Sequence, residues 1–118
     1  MHRCIVEAKD RDGKPVRFEG VLLIDLLMAA GAPVGDTLRG AQLSKFLLVE
    51  AVDGHKAVFA LPELDPAFTN ELALVADHRD GQPVSATEGP FRIVVPHEKR
   101  PARWVRQVTR LKVLQANP

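Results

Sequence analysis

The residues with chemical reach are few and unevenly placed. His2, His55, His78 and His97 and the single Cys4 are scattered, without the ligand spacing of a zinc site. No Gly-rich phosphate loop, Cys-x-x-Cys, paired helical histidines or Gly-x-Ser-x-Gly occurs. The carboxylates are equally dispersed, so spacing alone assembles no general acid with a general base. Charge is more informative. Between His97 and Lys112 stand six bases and one acid, while the remainder carries ten bases and fourteen acids. A chain of net charge +1 thus concentrates its positive charge in one segment, around its one tryptophan, Trp104. Such a segment suits an anionic or electron-rich partner. Nucleic acid is disfavoured, because the net charge is small and no second aromatic stands beside Trp104 to stack a base.

The elements that must position this segment read as strand, loop, strand. Phe91, Ile93 and Val95 alternate with Arg92 and Val94, which predicts a half-buried strand between Gly89-Pro90 and Pro96. Thr109, Leu111 and Val113 alternate with Arg110 and Lys112 and predict a second. Between them, His97–Ala102 is a basic loop bounded by prolines. It presents Arg103 and Trp104 at its exit, where a scaffold commonly holds binding groups.

The rest of the chain predicts mostly short strands. His2–Lys9 and Val16–Phe18 form a hairpin about an Asp-Gly turn. Val21–Ala30 is a very apolar helix stopped by Gly31 and Pro33, and is expected to be packed on several sides. Ala32–Gln42 is a loop. Phe46–Ala51 and His55–Leu61 flank the Asp53-Gly54 turn. Leu61–Pro66 is a turn or one-turn helix start, and Leu72–Asp77 is a strand before Asp80-Gly81. About seven strands and one clear helix argue for an α+β or mainly β fold with mixed, mostly antiparallel sheet. The 118 residues suffice for one domain with a real core, residues 1–118. One cysteine excludes an internal disulfide. No apolar run approaches the roughly 20 residues of a membrane span, so no membrane insertion is expected. The start MHRCIVEAK lacks a charged region followed by an apolar one. As written the chain reads as cytoplasmic; a longer exported precursor would make it periplasmic.

Four motifs, taken together, resemble one family. They are GVLLIDLLMAAGAP, FLLVEAVDGHKAVFALPE, LALVADHRDGQPVSATEGPFRIVVP and ARWVRQVTRLKV. Their order and spacing, from about Val16 to Val113, are similar to the sulfite-oxidase-type molybdopterin-binding domain. The resemblance implies that family's α+β fold. It also implies a molybdenum held by a cysteine thiolate on an early strand, a ligand type that suits this soft metal.

The departures shape the functional expectation. The early strand offers only Cys4, followed by IVEAKDRDG rather than a Gly-Asn-Arg type of sequence. Aligned backward from Gly20, the ligand position falls nearer Ala8. Glu88-Gly89 stands where the enzymes often have His-Gly. The resemblance with these changes implies a non-catalytic domain that binds a pterin or molybdopterin-like ligand, requires no cofactor, and signals to a receptor or partner protein. A carboxylate would accept both hydrogens of the pterin's amino-pyrimidine edge; Glu88 is the first candidate, with Glu50 or Asp53 behind it. Trp104 or an arginine plane would stack on the ring. Arg103 and Arg106 would meet its carbonyl side or a tail phosphate, and Lys99 and Arg100 belong to the same basic loop. Two alternatives stand. One is a molybdenum oxidoreductase performing oxygen-atom transfer, with Cys4 as metal ligand. The other is a structural module with a vestigial site.

Overall fold

A computed structural model describes residues 2–10 and 12–116. The N-terminal hairpin forms as its sequence predicts: β1 (Cys4–Lys9) pairs antiparallel with β2 (Pro15–Leu22). Along β2, Val16, Phe18 and Gly20 point into the core while Pro15 and Arg17 face out, the period of two expected of a half-buried strand. β2 also pairs with β5 (Leu74–Arg79). Gly20 sits at the bulge in that pairing, and a Cβ there would lie 1.8 Å from the Val75 carbonyl oxygen. Only glycine permits so close an approach.

β6 (Gln82–Pro83) and β7 (Arg92–Val94) share the other edge of β5, at successive positions along it. The result is a five-stranded antiparallel sheet. A second sheet has the order β4 (Lys56–Ala60), β3 (Lys45–Ala51), β8 (Val108–Gln115). The core joins Phe18, Leu74, Ala76, Ile93 and Val94 of the larger sheet to Leu47, Val49 and Phe59 of the smaller.

One α-helix, α1 (Leu23–Ala29), follows β2 directly. It is shorter than expected because Val21 and Leu22 remain paired with Val75 and Leu74 of β5. It buries one face through Leu23 and Leu27, one turn apart, and leaves Met28 57% exposed, so it is not enclosed on several sides. The stop at Gly31 is as predicted. With φ +82°, Gly31 donates its N–H to Met28 and lets Ala32 reach back to Leu27, a Schellman closure. The expected loop after it contains two 3-10 turns, Gly35–Thr37 and Gly40–Ser44.

Two predicted alternations are corrected. In β7, Arg92, Ile93 and Val94 are all fully buried, whereas Phe91 is 44% exposed. β7 lies inside the molecule: β5 covers one edge, and on the other Ile93 N–H donates to Val105 and Val108 N–H to Phe91. Both edges are thus bonded, and the burial of three consecutive residues shows that both faces are covered too, so the period of two disappears. In β8, Leu111 and Lys112 are both half-buried and Val113 and Leu114 are exposed, because this strand forms the rim of the smaller sheet.

Candidate functional site

A cleft of about 750 Å³ opens at the free edge of the larger sheet. One wall is the end of β1 and its turn: Glu7, Ala8, Lys9, Asp10, Gly13 and Pro15. The other is the basic loop, with Pro96, His97, Glu98, Lys99 and Pro101, continued by Trp104. β1 supplies its wall because an edge strand has no neighbour beyond it.

Trp104 is 4% exposed. Its Nε1–H donates to the Val95 carbonyl at 3.1 Å, and its ring meets Phe18 edge-on, with centroids 6.0 Å apart. The Arg92 guanidinium lies 5.5 Å from the same ring and 5.3 Å from that of Phe18. Trp104 is thus a wall of the cleft and not an open platform on which a flat ring could stack across its whole face.

Under Trp104 runs a buried ionic network. Arg92 Nη1 donates to Glu88 Oε1. Arg79 Nη1 donates to Asp10 at 2.5 Å and to Glu88 at 3.2 Å, and Ser85 donates to the other Glu88 oxygen at 3.2 Å. Arg92 also stands 4.0 Å from Asp10. Burial lowers the Arg92 pKa, and the Arg106 charge adds to that, against the opposing pull of Glu88 and Asp10. Burial opposes protonated Arg79 too, but the bond to Asp10 and the two carboxylate charges outweigh it and raise its pKa. Glu88, the first-named pterin acceptor, is thus buried with both carboxylate oxygens engaged within the protein. The sequence contained a clue: Arg92 interrupts an apolar run four residues after Glu88.

Arg103 is likewise committed. It donates to Val58 O at 2.8 Å, to Glu98 at 2.6 Å and to Glu63 at 2.9 Å, and stacks 4.2 Å from the Phe59 centroid. These bonds hold its pKa above the ordinary value, the Glu98 bond first. Its place in the structure is a clamp that fastens the basic loop to β4 and the turn after it.

Beyond Pro101 and Trp104 lies a second pocket of about 290 Å³, lined by Asp53, His55, Thr87, Val105, Arg106 and Gln107 as well as that shared wall. The expected site residues therefore separate. Lys99 and Trp104 meet at the cleft, and Asp53, Trp104 and Arg106 at the second pocket. Arg100 is exposed and lines neither. Glu50 faces Lys112 at 3.4 Å on the smaller sheet. Sequence reasoning missed Glu7, Lys9, Asp10 and His97 as cleft residues, because no motif marks a sheet edge that becomes a wall.

Cys4 begins β1 opposite Gly20 and is half-buried. It does not line the cleft; Ala8 does. They are four residue steps apart along the strand, about 13 Å at roughly 3.3 Å per residue. Among the described residues, no group of three or more His, Cys, Asp or Glu side chains is arranged to hold a metal ion.

No curated relative and no solved structure matches the chain significantly. A family model does, that of the oxidoreductase molybdopterin-binding domain, over residues 7–118. With nearly the whole chain matched and an antiparallel α+β fold in agreement, the protein belongs to the oxidoreductase molybdopterin-binding domain family.

Proposed function

We propose that this domain binds a pterin-class ligand in the cleft between β1 and the basic loop, and does so without metal-centred chemistry. The observation that carries the reading is Ala8. β1 lines the cleft with Glu7, Ala8 and Lys9 and offers no thiol there; the position counted back from Gly20 is a methyl group, and the chain's one thiol stands about 13 Å away along the strand. The family match itself starts at Glu7, beyond Cys4. A molybdenum centre that needs a protein thiolate does not fit these residues.

The uncommitted side chains supply the recognition. Asp10 is held by Arg79 and Glu98 by Arg103, whereas Glu7 has no ion-pair partner among the described residues. Glu7 is therefore the cleft carboxylate placed to accept the paired donors of an amino-pyrimidine edge. Lys9 and Lys99, also without ion-pair partners among the described residues, attract the ligand's anionic tail. Arg100 adds to the positive field at the mouth. Glu88 and Arg103 act indirectly, the first by fixing the charges beneath Trp104 and the second by fixing the loop. A partner protein reads the occupied state.

The test is elemental analysis of protein made in a cell that synthesises molybdenum cofactor, with titration of the metal-free protein by a fluorescent pterin. Pterin binding that Glu7→Gln weakens, without stoichiometric metal, supports the proposal. Stoichiometric molybdenum that disappears in Cys4→Ser would overturn it and make the protein an oxidoreductase. For the partner, protein capture that depends on added pterin is the expected result, and capture indifferent to pterin refutes that part.

A further inference from the structure

A groove of about 370 Å³ lies between α1 and the smaller sheet, and it shares no lining residue with the cleft or the second pocket. It is lined by Leu26 of α1, by Val21 and Val75 of the larger sheet, by Phe91, and by β8 from Val108 to Leu111. Apart from Thr109 and Arg110, every lining residue is apolar. Successive side chains leave opposite faces of a strand, so four consecutive residues in one lining mark the edge of β8 rather than one of its faces.

That edge is open. β8 pairs with β3 and, among the described residues, with no other strand. Every second residue of an antiparallel strand turns its N–H and C=O away from the one neighbour it has. Among the described residues, the Val108 N–H, bonded to Phe91, is the only such group of this eight-residue strand with a backbone partner on that side. The other edges are covered or occupied. β7 is bonded onward to Val105, the Val58 carbonyl of β4 is taken by Arg103, and β1 is the wall of the cleft. Phe91 beside the edge of β8, and Val113 and Leu114 on it, are exposed. A long strand edge with free backbone groups and exposed apolar side chains is a template for another strand.

Charge selects the occupant. β8 carries two bases, Arg110 and Lys112, and no acid. Glu50 stands opposite Arg110 in register, but its ion pair is with Lys112, at 3.4 Å. Arg110 is exposed and makes no ion pair among the described residues. A second copy adding its own β8 would bring two more bases and no acid, so no register would neutralise Arg110, and like charges across strands destabilise the pair. A lipid would fill the groove and leave the backbone groups of β8 to water. An extended segment that alternates apolar and acidic residues meets every demand: ladder hydrogen bonds to β8, apolar side chains over Val21, Leu26, Val75 and Phe91, and carboxylates beside Arg110. We propose that β8 is the docking edge for such an acidic–apolar segment of a partner protein, which adds a fourth strand to the three-stranded sheet. The site stands whether or not the cleft holds a pterin.

The probe is a synthetic peptide as long as β8 that alternates valine with glutamate, titrated into the full chain at low salt and followed by fluorescence anisotropy. The expected result is saturable binding with a Kd below about 1 mM, weakened by added salt. Hydrogen exchange should show new protection of the β8 amides and none in β1 or β4. A matching valine–lysine peptide should not bind. Arg110→Glu should weaken the glutamate peptide about tenfold or more and admit the lysine peptide, a swap that an unfolded variant cannot produce. The same variant should titrate with pterin as the wild type does, so failure of this proposal and failure of the pterin reading are seen separately. No binding of the glutamate peptide, equal binding of both peptides, or protection away from β8 would overturn the proposal. Concentration-dependent dimerisation that protects the β8 amides without peptide would make a second copy the occupant. A medium-chain fatty acid that binds where the peptide does not would make the groove a lipid site. Either of these outcomes also overturns it.

Discussion

Two groups of charged residues flank Trp104, and they are in opposite states. Beneath the ring, Asp10, Arg79, Glu88 and Arg92 are joined to one another by ion pairs, and the carboxylates and Arg92 are almost entirely out of water. Beside it, Glu7, Lys9 and Lys99 line the cleft and Arg106 lines the second pocket without an ion pair among the described residues. A matched buried charge has little left to offer a ligand, and removing its partner leaves an ion stranded in a poor solvent. An unmatched charge at an open surface costs little to keep, and can exchange water for a ligand. The first group gives the site its shape; on the proposed function, the second is the one free to meet a ligand.

This contrast predicts a graded set of outcomes. The largest should come from Glu88→Leu, which strands buried Arg92. We expect a loss of about 3–5 kcal/mol in urea unfolding. The double variant Glu88→Leu/Arg92→Met should recover a substantial part of that loss; a double variant as unstable as the single would mean that packing, not charge, dominates. Next is Gly20→Ala, which forces β2 away from the Val75 carbonyl and should cost about 1–3 kcal/mol or more. It serves as a reference for a purely steric defect that leaves the charges untouched.

Arg103→Ala should cost about 1–2 kcal/mol, being partly exposed but bonded to three groups. It also carries a pH signature. Burial pushes against ionised Glu63, but the bonds from Arg103 and the Ala60 N–H prevail and lower its pKa below the ordinary 4.5. A carboxyl with a depressed folded pKa contributes stability above its unfolded pKa and loses it as pH falls through the folded value. The wild type should therefore lose stability on acidification below about pH 4.5, and Arg103→Ala should flatten that part of the profile in pH-dependent unfolding. The smallest effects on folding should come from Glu7→Gln and Lys99→Ala, within about 0.5 kcal/mol of wild type, although the proposed function expects both to weaken pterin binding. A strongly destabilising change at either would place it with the buried group.

Much of the frame was legible from local signals. Asp12-Gly13, Asp53-Gly54 and Asp80-Gly81 marked turns whose glycines take positive φ, and the alternation in β2 identified its core face. β7 was misread because alternation assumes one wet face, and a strand covered on both sides has none. The site was less legible still. Glu88 looked available because the one local clue, Arg92 within an apolar run, does not say which way that side chain turns. Asp10 and Arg79, which join that network, lie 69 residues apart. The cleft brings β1 together with a loop near the other end of the chain, a juxtaposition that spacing does not encode. Ala8, the position reached by counting back from Gly20, lines the cleft.

The wall formed by Pro101 and Trp104 has a thermodynamic consequence. Because Pro101 and Trp104 line both the cleft and the second pocket, a ligand in one that shifted that wall would alter the other. Two ligands bound across it would be linked, and linkage is reciprocal. Whatever factor a ligand in the cleft imposed on the affinity for one in the second pocket, the second would impose on the first.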